Sequence, residues 1–275
     1  MNSSNAFKIV LFASGTHFMV HLYENSFSGI LSSLQQEWGA DYTALGTLGV
    51  PLFFLFGLLA IPGGWLSDRY GSKSILLVCL FGAAFSSIAA SFTPEDSSIH
   101  PMVVLSILLA CLGCFMGLYH PAGLSFISRG VEKKGQAMGI HGVLGNFGLA
   151  LAPFAATSLA VGFGWRFAFF VLGFPALVLG VFLLLTPIDK QEGTGKGSGR
   201  MSLADLFPSE RGAHRFPPIL LLYLISCFNG LTYRLFLVYL PAFFSSRIGD
   251  SALLGLSGAV LASFLATGIL FIGTI

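Results

Sequence analysis

Eight apolar stretches, each long enough to cross a bilayer, limit what this chain can fold into. A helical span needs about 20 mostly apolar residues, and such stretches run over residues 8–33, 43–66, 74–93, 101–128, 137–160, 166–186, 217–244 and 252–275. Backbone amides inside a bilayer have no water to bond, so each stretch must form a helix that satisfies them internally. Composition agrees: 55% of the residues are hydrophobic and only 9% are charged, against about 25% in soluble domains, and the mean hydropathy is +0.82. The expected fold class is an all-α membrane protein with eight transmembrane helices. Its 28 Phe suit lipid-facing positions and its 34 Gly suit close helix contacts. A net charge of +2 on scattered carriers gives no basis for a nucleic-acid partner. The expected partner is the lipid bilayer.

Lys and Arg orient the spans, because positive loops stay on the cytoplasmic side. Lys8, Arg69, Lys73, Arg129, Lys133, Lys134, Lys190, Lys196, Arg200, Arg211 and Arg215 fall on one side, and Arg166 and Arg247 on the other. The latter side also holds Glu37, Asp41, Glu95, Asp96 and Asp250. The expectation is a multi-pass protein of the cytoplasmic (inner) membrane with a cytoplasmic N-terminus. The opening "MNSSNAFKIVLF" lacks a small-residue cleavage site, so no removable signal peptide is expected. Cys79, Cys111, Cys114 and Cys227 lie in apolar stretches, and the single CxxC has no second pair, so they read as helix packing rather than disulfide or zinc ligands.

Residues 187–216 are rich in Gly and charge and read as a cytoplasmic linker. They divide the chain into an N-terminal six-helix bundle, 1–186, and the first two helices of a second bundle, 217–275. The two parts resemble each other. Tyr23 and Gly39 recur as Tyr233 and Gly249, and, with one residue dropped, Asp41, Leu45, Gly46, Gly49 and Leu52 recur as Asp250, Leu254, Gly255, Gly258 and Leu261. A parallel repeat explains the shared order and loop position. It implies that about four helices of the second bundle are missing, to be supplied by further chain or by a second subunit.

Between spans two and three lies "GGWLSDRYGSKS", residues 63–74. Gly64 allows close helix approach, Asp68 can pair with a basic group or a helix N-terminus, Gly71 permits a tight turn, and Arg69 and Lys73 anchor a cytoplasmic face. Read blandly, the basic residues are membrane anchors only. With its spacing, the loop resembles the signature of the major facilitator superfamily, GxxxDRxGxK, except that Ser72 stands where the family usually has Arg. The resemblance implies six-helix units built from inverted three-helix repeats, a substrate site near the bilayer midplane, and a conformational-switch loop at Gly64, Asp68, Arg69, Gly71 and Lys73. "GLYHPAG" (117–123) and "GQAMGIHGVLGNFGLALAP" (135–153) resemble the branch that includes the fosmidomycin resistance exporters. Span four lacks the central Arg of many proton-coupled members. The antiporter-type motif of span five is partial, preserved in Gly142, Gly145, Gly148 and Pro153.

Span one carries the chemistry. At about 100° per residue, Ser14, His17, His21, Glu24, Asn25, Ser28 and Ser32 fall within an arc of roughly 100°. A charged side chain at a span's centre costs at least about 2.5–3.5 kcal/mol, so such groups usually face a cavity or a partner. The resemblance assigns this face to a solute pathway. Glu24 aligns with Arg234 in the repeat, and opposite charges at equivalent positions can meet across a central cavity. They would either close one state or bind solute and proton alternately; a permanent packing pair or a snorkelling Arg is the alternative. His120 before Pro121, His141 and Asn146 in span five, and Asn229 and Tyr233 beside Arg234 complete the candidate pathway. His17 and His21, at i and i+4, could hold a metal, but a lone HxxxH is more often hydrogen-bonded structure, and the other histidines, His100, His120, His141 and His214, make no second such box. No metal ligand is assigned, and the histidines read as proton relay or solute contacts.

The expected function is secondary active transport of a small polar or amphipathic organic solute by alternating access, coupled to protons. No GxxxxGK[ST] loop is present, so no nucleotide cofactor is expected. A membrane enzyme with a His and carboxylate metal site, or a non-transporting scaffold or sensor, are the competing classes.

Overall fold

The computed structural model describes residues 3–95, 100–189, 216–248 and 258–273. Every regular element among them is an α-helix: α1 (Ser3–Trp38), α2 (Tyr42–Tyr70), α3 (Ser72–Ala90), α4 (Pro101–Gly117), α5 (Tyr119–Gly130), α6 (Lys134–Phe163), α7 (Trp165–Leu185), α8 (Phe216–Ile248) and α9 (Gly258–Gly273). Most of the linker and the repeat positions Gly249, Asp250, Leu254 and Gly255 lie outside the described residues, as do His214 and Asp96.

The expected fourth span is two helices, α4 and α5, which meet at Leu118. Pro121 has no amide hydrogen, and its ring leaves no room for a helical carbonyl four residues back, at Gly117. The break therefore falls one turn before the His120–Pro121 pair that causes it.

Among the described residues, six stretches are long and apolar enough to cross a membrane: Tyr42–Tyr70, Ser72–Ala90, Pro101–Gly130, Lys134–Phe163, Trp165–Leu185 and Cys227–Ile248. The first of the eight expected spans falls short of that criterion, and the last lies partly outside the described residues, its apolar described part being Gly258–Gly268. For α1 the reason is the polar stripe, and the packing explains why the stripe is tolerated. Met19, Leu22, Phe27 and Ile30, off the stripe, are as buried as His17, Glu24 and Asn25 on it. Protein covers α1 all round from Phe12 to Leu34, so this stretch needs no apolar surface for lipid. The outward-facing load is carried elsewhere, by residues such as Phe54, Phe85 and Phe182.

The most extensive seams pair α1 with α6, α2 with α4, and α3 with α7. Counting α4 and α5 as one span, these are spans 1 with 5, 2 with 4, and 3 with 6. An exchange of spans 1–3 with 4–6 maps the first two seams onto each other and the third onto itself, which is the pattern of an inverted repeat. The α1–α6 seam is close because a side chain is missing: a Cβ at Gly148 would overlap the Phe18 carbonyl. Gly142, in the same run, meets nothing within 4 Å and plays no part in the seam.

Side-chain contacts gather the loops at two ends. At one end Arg166 donates to Glu37 at 2.8 Å and to the Thr93 carbonyl at 2.7 Å. At the other, Lys73 donates to the Thr186 carbonyl at 2.8 Å and Lys8 to the Pro187 carbonyl at 3.2 Å. The signature loop lies at this second end. Gly71, at φ 85°, turns the chain directly from α2 into α3, a conformation that costs a residue with a side chain far more. Asp68 pairs with Arg129 at the end of α5. Ser72 is buried and its hydroxyl meets that of Ser67 at 2.9 Å, so this position ties α2 to α3 internally instead of reaching the surface as an Arg would.

Candidate functional site

Half-way along α1, three side chains one turn apart form a connected line. Glu24 is 1% exposed. One of its oxygens accepts from His21 Nδ1 at 2.6 Å, and the other accepts from Arg234 Nη2 of α8. His21 Nε2 in turn approaches His17 Nε2 to 3.0 Å. His17 Nδ1 donates to the His141 carbonyl of α6 at 2.8 Å. The spacing i, i+4, i+7 stacks these groups on one helical face, and α6 supplies the room: a Cβ on Gly145 would overlap the His17 ring.

The break between α4 and α5 places two aromatic groups against this line. Tyr119 is fully buried, donates its hydroxyl to the Ala13 carbonyl and lies 3.3 Å from His141 Nδ1, which can then donate to it. The rings of His17 and His141 stack at 4.0 Å, and the His120 ring lies nearly perpendicular to that of His17 at 5.4 Å and tilted against that of His21 at 5.3 Å. On the other side, the Arg234 guanidinium lies over the Phe53 ring at 4.6 Å, a cation–π contact that steadies a cation away from bulk water. Asn25 donates to the Leu149 carbonyl at 3.1 Å. Two buried atoms here have no partner among the described residues: the acceptor Asn25 Oδ1 and the donor Arg234 Nη1.

Of the residues expected from sequence, His17, His21, Glu24, Asn25, His120, His141 and Arg234 come together. Asn146 is half-buried one turn along α6 from His141. Asn229 is exposed, and Tyr233 is 44% exposed although it neighbours Arg234. Its repeat counterpart Tyr23 is buried, donating to the Leu172 carbonyl at 2.8 Å, so the shared Tyr does not do the same work in both parts. The signature residues Asp68, Arg69, Gly71 and Lys73 lie at the far end of the bundle, while Gly64 packs near Pro121. Tyr119 and Phe53 give little sign of themselves in the sequence. Tyr119 stands next to His120 in "GLYHPAG", and that adjacency is its one signal; Phe53 is an aromatic residue in an apolar helix and has none.

The polar stripe was expected to face an open pathway, yet α5, α6 and α8 cover it here. Clefts open at either end of the α1–α6 seam instead. One of about 390 Å³ is lined by Ala6, Phe7, Val10, Lys133, Gln136 and Ile140. The other, of about 500 Å³, is lined by Ser32, Gln36, Glu37, Val161, Trp165 and Ala259. The His, Glu and Arg cluster lies between them along both helices. A carboxylate held by one donor from its own helix and one from α8 can exchange partners, and its release would free Arg234 for another anion.

Residues 13–275 match the family model for the Major Facilitator Superfamily. The chain belongs to the major facilitator superfamily. Among relatives in this superfamily, it is 25% identical over 269 residues to the probable galactarate/D-glucarate transporter GudP of Bacillus subtilis, a match covering 83% of this chain and 57% of that protein. It is 27% identical over 159 residues to the 4-hydroxybenzoate transporter PcaK of Pseudomonas aeruginosa, covering 56% of this chain and 34% of that one. In fold it matches the inward-open xylose transporter XylE from E. coli, with a TM-score of 0.57 and 19% identity, over 67% of this chain and 49% of that chain. The chain thus spans from about a third to somewhat over half the length of these relatives. As a superfamily member with six apolar spans, it is a multi-pass membrane protein.

Proposed function

We propose that this chain forms part of a secondary active transporter for small organic acids, working by alternating access with proton coupling. The observation that carries the reading is the Glu24–Arg234 contact, which joins a buried carboxylate of α1 to a cation of α8 across the two repeat-related parts of the chain. When a solute carboxylate takes Glu24's place at Arg234, Glu24 needs a new counter-charge, and a proton supplies it. Anion and proton then load together. The unpartnered Arg234 Nη1 and Asn25 Oδ1 add a donor and an acceptor for the same solute. The names of two relatives support the solute class, since galactarate, D-glucarate and 4-hydroxybenzoate are all organic acids.

The unit 1–186 is one rocking body, 217–275 belongs to the other, and the residues between them are the cytoplasmic linker. The N-terminus faces the cytoplasm of an inner membrane, which puts the signature loop and its Asp68–Arg129 pair on the cytoplasmic side, where they restrain α2, α3 and α5 in one state. The relatives that support the solute class are of other kinds than the fosmidomycin exporters.

The test is uptake into proteoliposomes of labelled D-glucarate, galactarate and 4-hydroxybenzoate, with lumenal pH recorded in weak buffer. Accumulation of at least one acid together with a change of lumenal pH is expected. Failure to move any acid defeats the transport reading; uptake with no pH change defeats the coupling.

A further inference from the structure

We propose that His17, His21 and His120 form a binding site for one divalent cation of the zinc class, tying α1 to α5 beside Glu24. The hydrogen-bond partners fix where the imidazole protons must be. His17 Nδ1 meets the His141 carbonyl oxygen at 2.8 Å, and His21 Nδ1 meets a Glu24 oxygen at 2.6 Å. A carbonyl and a carboxylate accept hydrogen bonds, so each neutral ring uses its one N–H there and presents a bare lone pair at Nε2. Those two Nε2 atoms face each other at 3.0 Å. Two lone pairs at that distance repel unless a cation lies between them.

The surroundings favour a metal ion. A third imidazole converges on the pair: one nitrogen from each of His17, His21 and His120 lies within 4.8 Å of the other two. Zinc–nitrogen bonds of about 2.0–2.1 Å place the ligands of a tetrahedral ion roughly 3.4 Å apart. The His17–His21 edge is already near that length, and His120 closes the triangle by a movement of at most about 1.4 Å. Metal-bound imidazoles characteristically give their other N–H to a backbone carbonyl or a carboxylate, and here one ring has each kind. Three neutral nitrogens select borderline ions such as zinc, cobalt or nickel over the oxygen-seeking magnesium and calcium. They leave a fourth position for water or for a solute carboxylate. The sequence showed one HxxxH and no more; the third ligand arrives because α4 breaks at Leu118 and turns His120 inward. The proposal does not depend on the transport reading.

The experiment uses the tag-free chain in lipid nanodiscs after chelator treatment, titrated with Co²⁺ and followed by visible absorption, with Zn²⁺ as competitor. One Co²⁺ per chain is expected, displaced by Zn²⁺. His120 touches its neighbours through ring contacts, so His120→Asn is the ligand variant least disturbing to the fold, and it should lose at least 100-fold in affinity. Glu24→Gln, which weakens the support of His21 and leaves all three ligands in place, should lose about 10- to 100-fold. His100→Ala, at the start of α4 and outside the cluster, should bind within about threefold of the parent. Absence of stoichiometric Co²⁺ binding, or an affinity unchanged in His120→Asn, overturns the proposal. So does a doubly protonated His17 or His21 seen by ¹⁵N NMR in chelator-treated protein that binds no ion, because a shared proton would then fill the gap. Uptake of organic acids is read separately, so either idea can fail without the other.

Discussion

Glu24 shows how a buried charge is held in a membrane helix. Left with one partner removed, a buried ion pair typically costs about 3–5 kcal/mol, because the remaining charge is stranded, whereas removing both charges costs much less. Arg234→Ala is therefore expected to destabilise the protein by about 3 kcal/mol, the lower end, since His21 still donates to Glu24. Glu24→Leu combined with Arg234→Leu should cost less than Arg234→Ala alone. Reversible unfolding in mixed micelles measures both. Equal losses in the single and double variants would mean that the contact is incidental.

At the level of helices, the small residues of α6 do different jobs despite a uniform look in sequence. Gly148→Ala puts a methyl group against the Phe18 carbonyl, which belongs to the backbone and cannot rotate away, so a loss of about 1–3 kcal/mol is expected. Gly142→Ala meets no neighbour and should be neutral or stabilising by up to about 1 kcal/mol, through helix propensity alone. Thermal midpoints of the two variants should move in different directions or by clearly different amounts. The signature loop gives a further contrast. Asp68 and Arg129 are both substantially exposed, so their pair contributes about 1 kcal/mol or less to folding. If its work is to set the balance between states, Asp68→Asn should slow transport more than tenfold while leaving the unfolding midpoint nearly unchanged. A parallel fall in both would make the pair merely structural.

Over the whole molecule, what could be read from sequence was what repeats or has a period. Apolar runs located the helices, and the loop at Asp68 located the family. Repeat alignment brought Glu24 and Arg234 together in advance, because equivalent positions on the first helix of each part must face a common axis. The burial of α1 on every side was not legible, since a polar stripe looks the same whether it faces water or other helices. Nor was the convergence of His120 on His17 and His21, which depends on where Pro121 breaks a helix. Tyr119 and Phe53 escaped notice because an aromatic residue in an apolar run carries no mark of the polar group it will touch.

The central claim is that Glu24 and Arg234 exchange partners during transport. Its most direct test is proteoliposome uptake of the best organic acid, measured across pH 5 to 8 for the parent, Glu24→Gln and the charge swap Glu24→Arg with Arg234→Glu. The account predicts that Glu24→Gln loses both accumulation and pH dependence, and that the swap recovers stability without recovering coupled uptake, since the carboxylate and the cation have changed sides. Uptake in Glu24→Gln at the parent's rate and with the parent's pH dependence would contradict it.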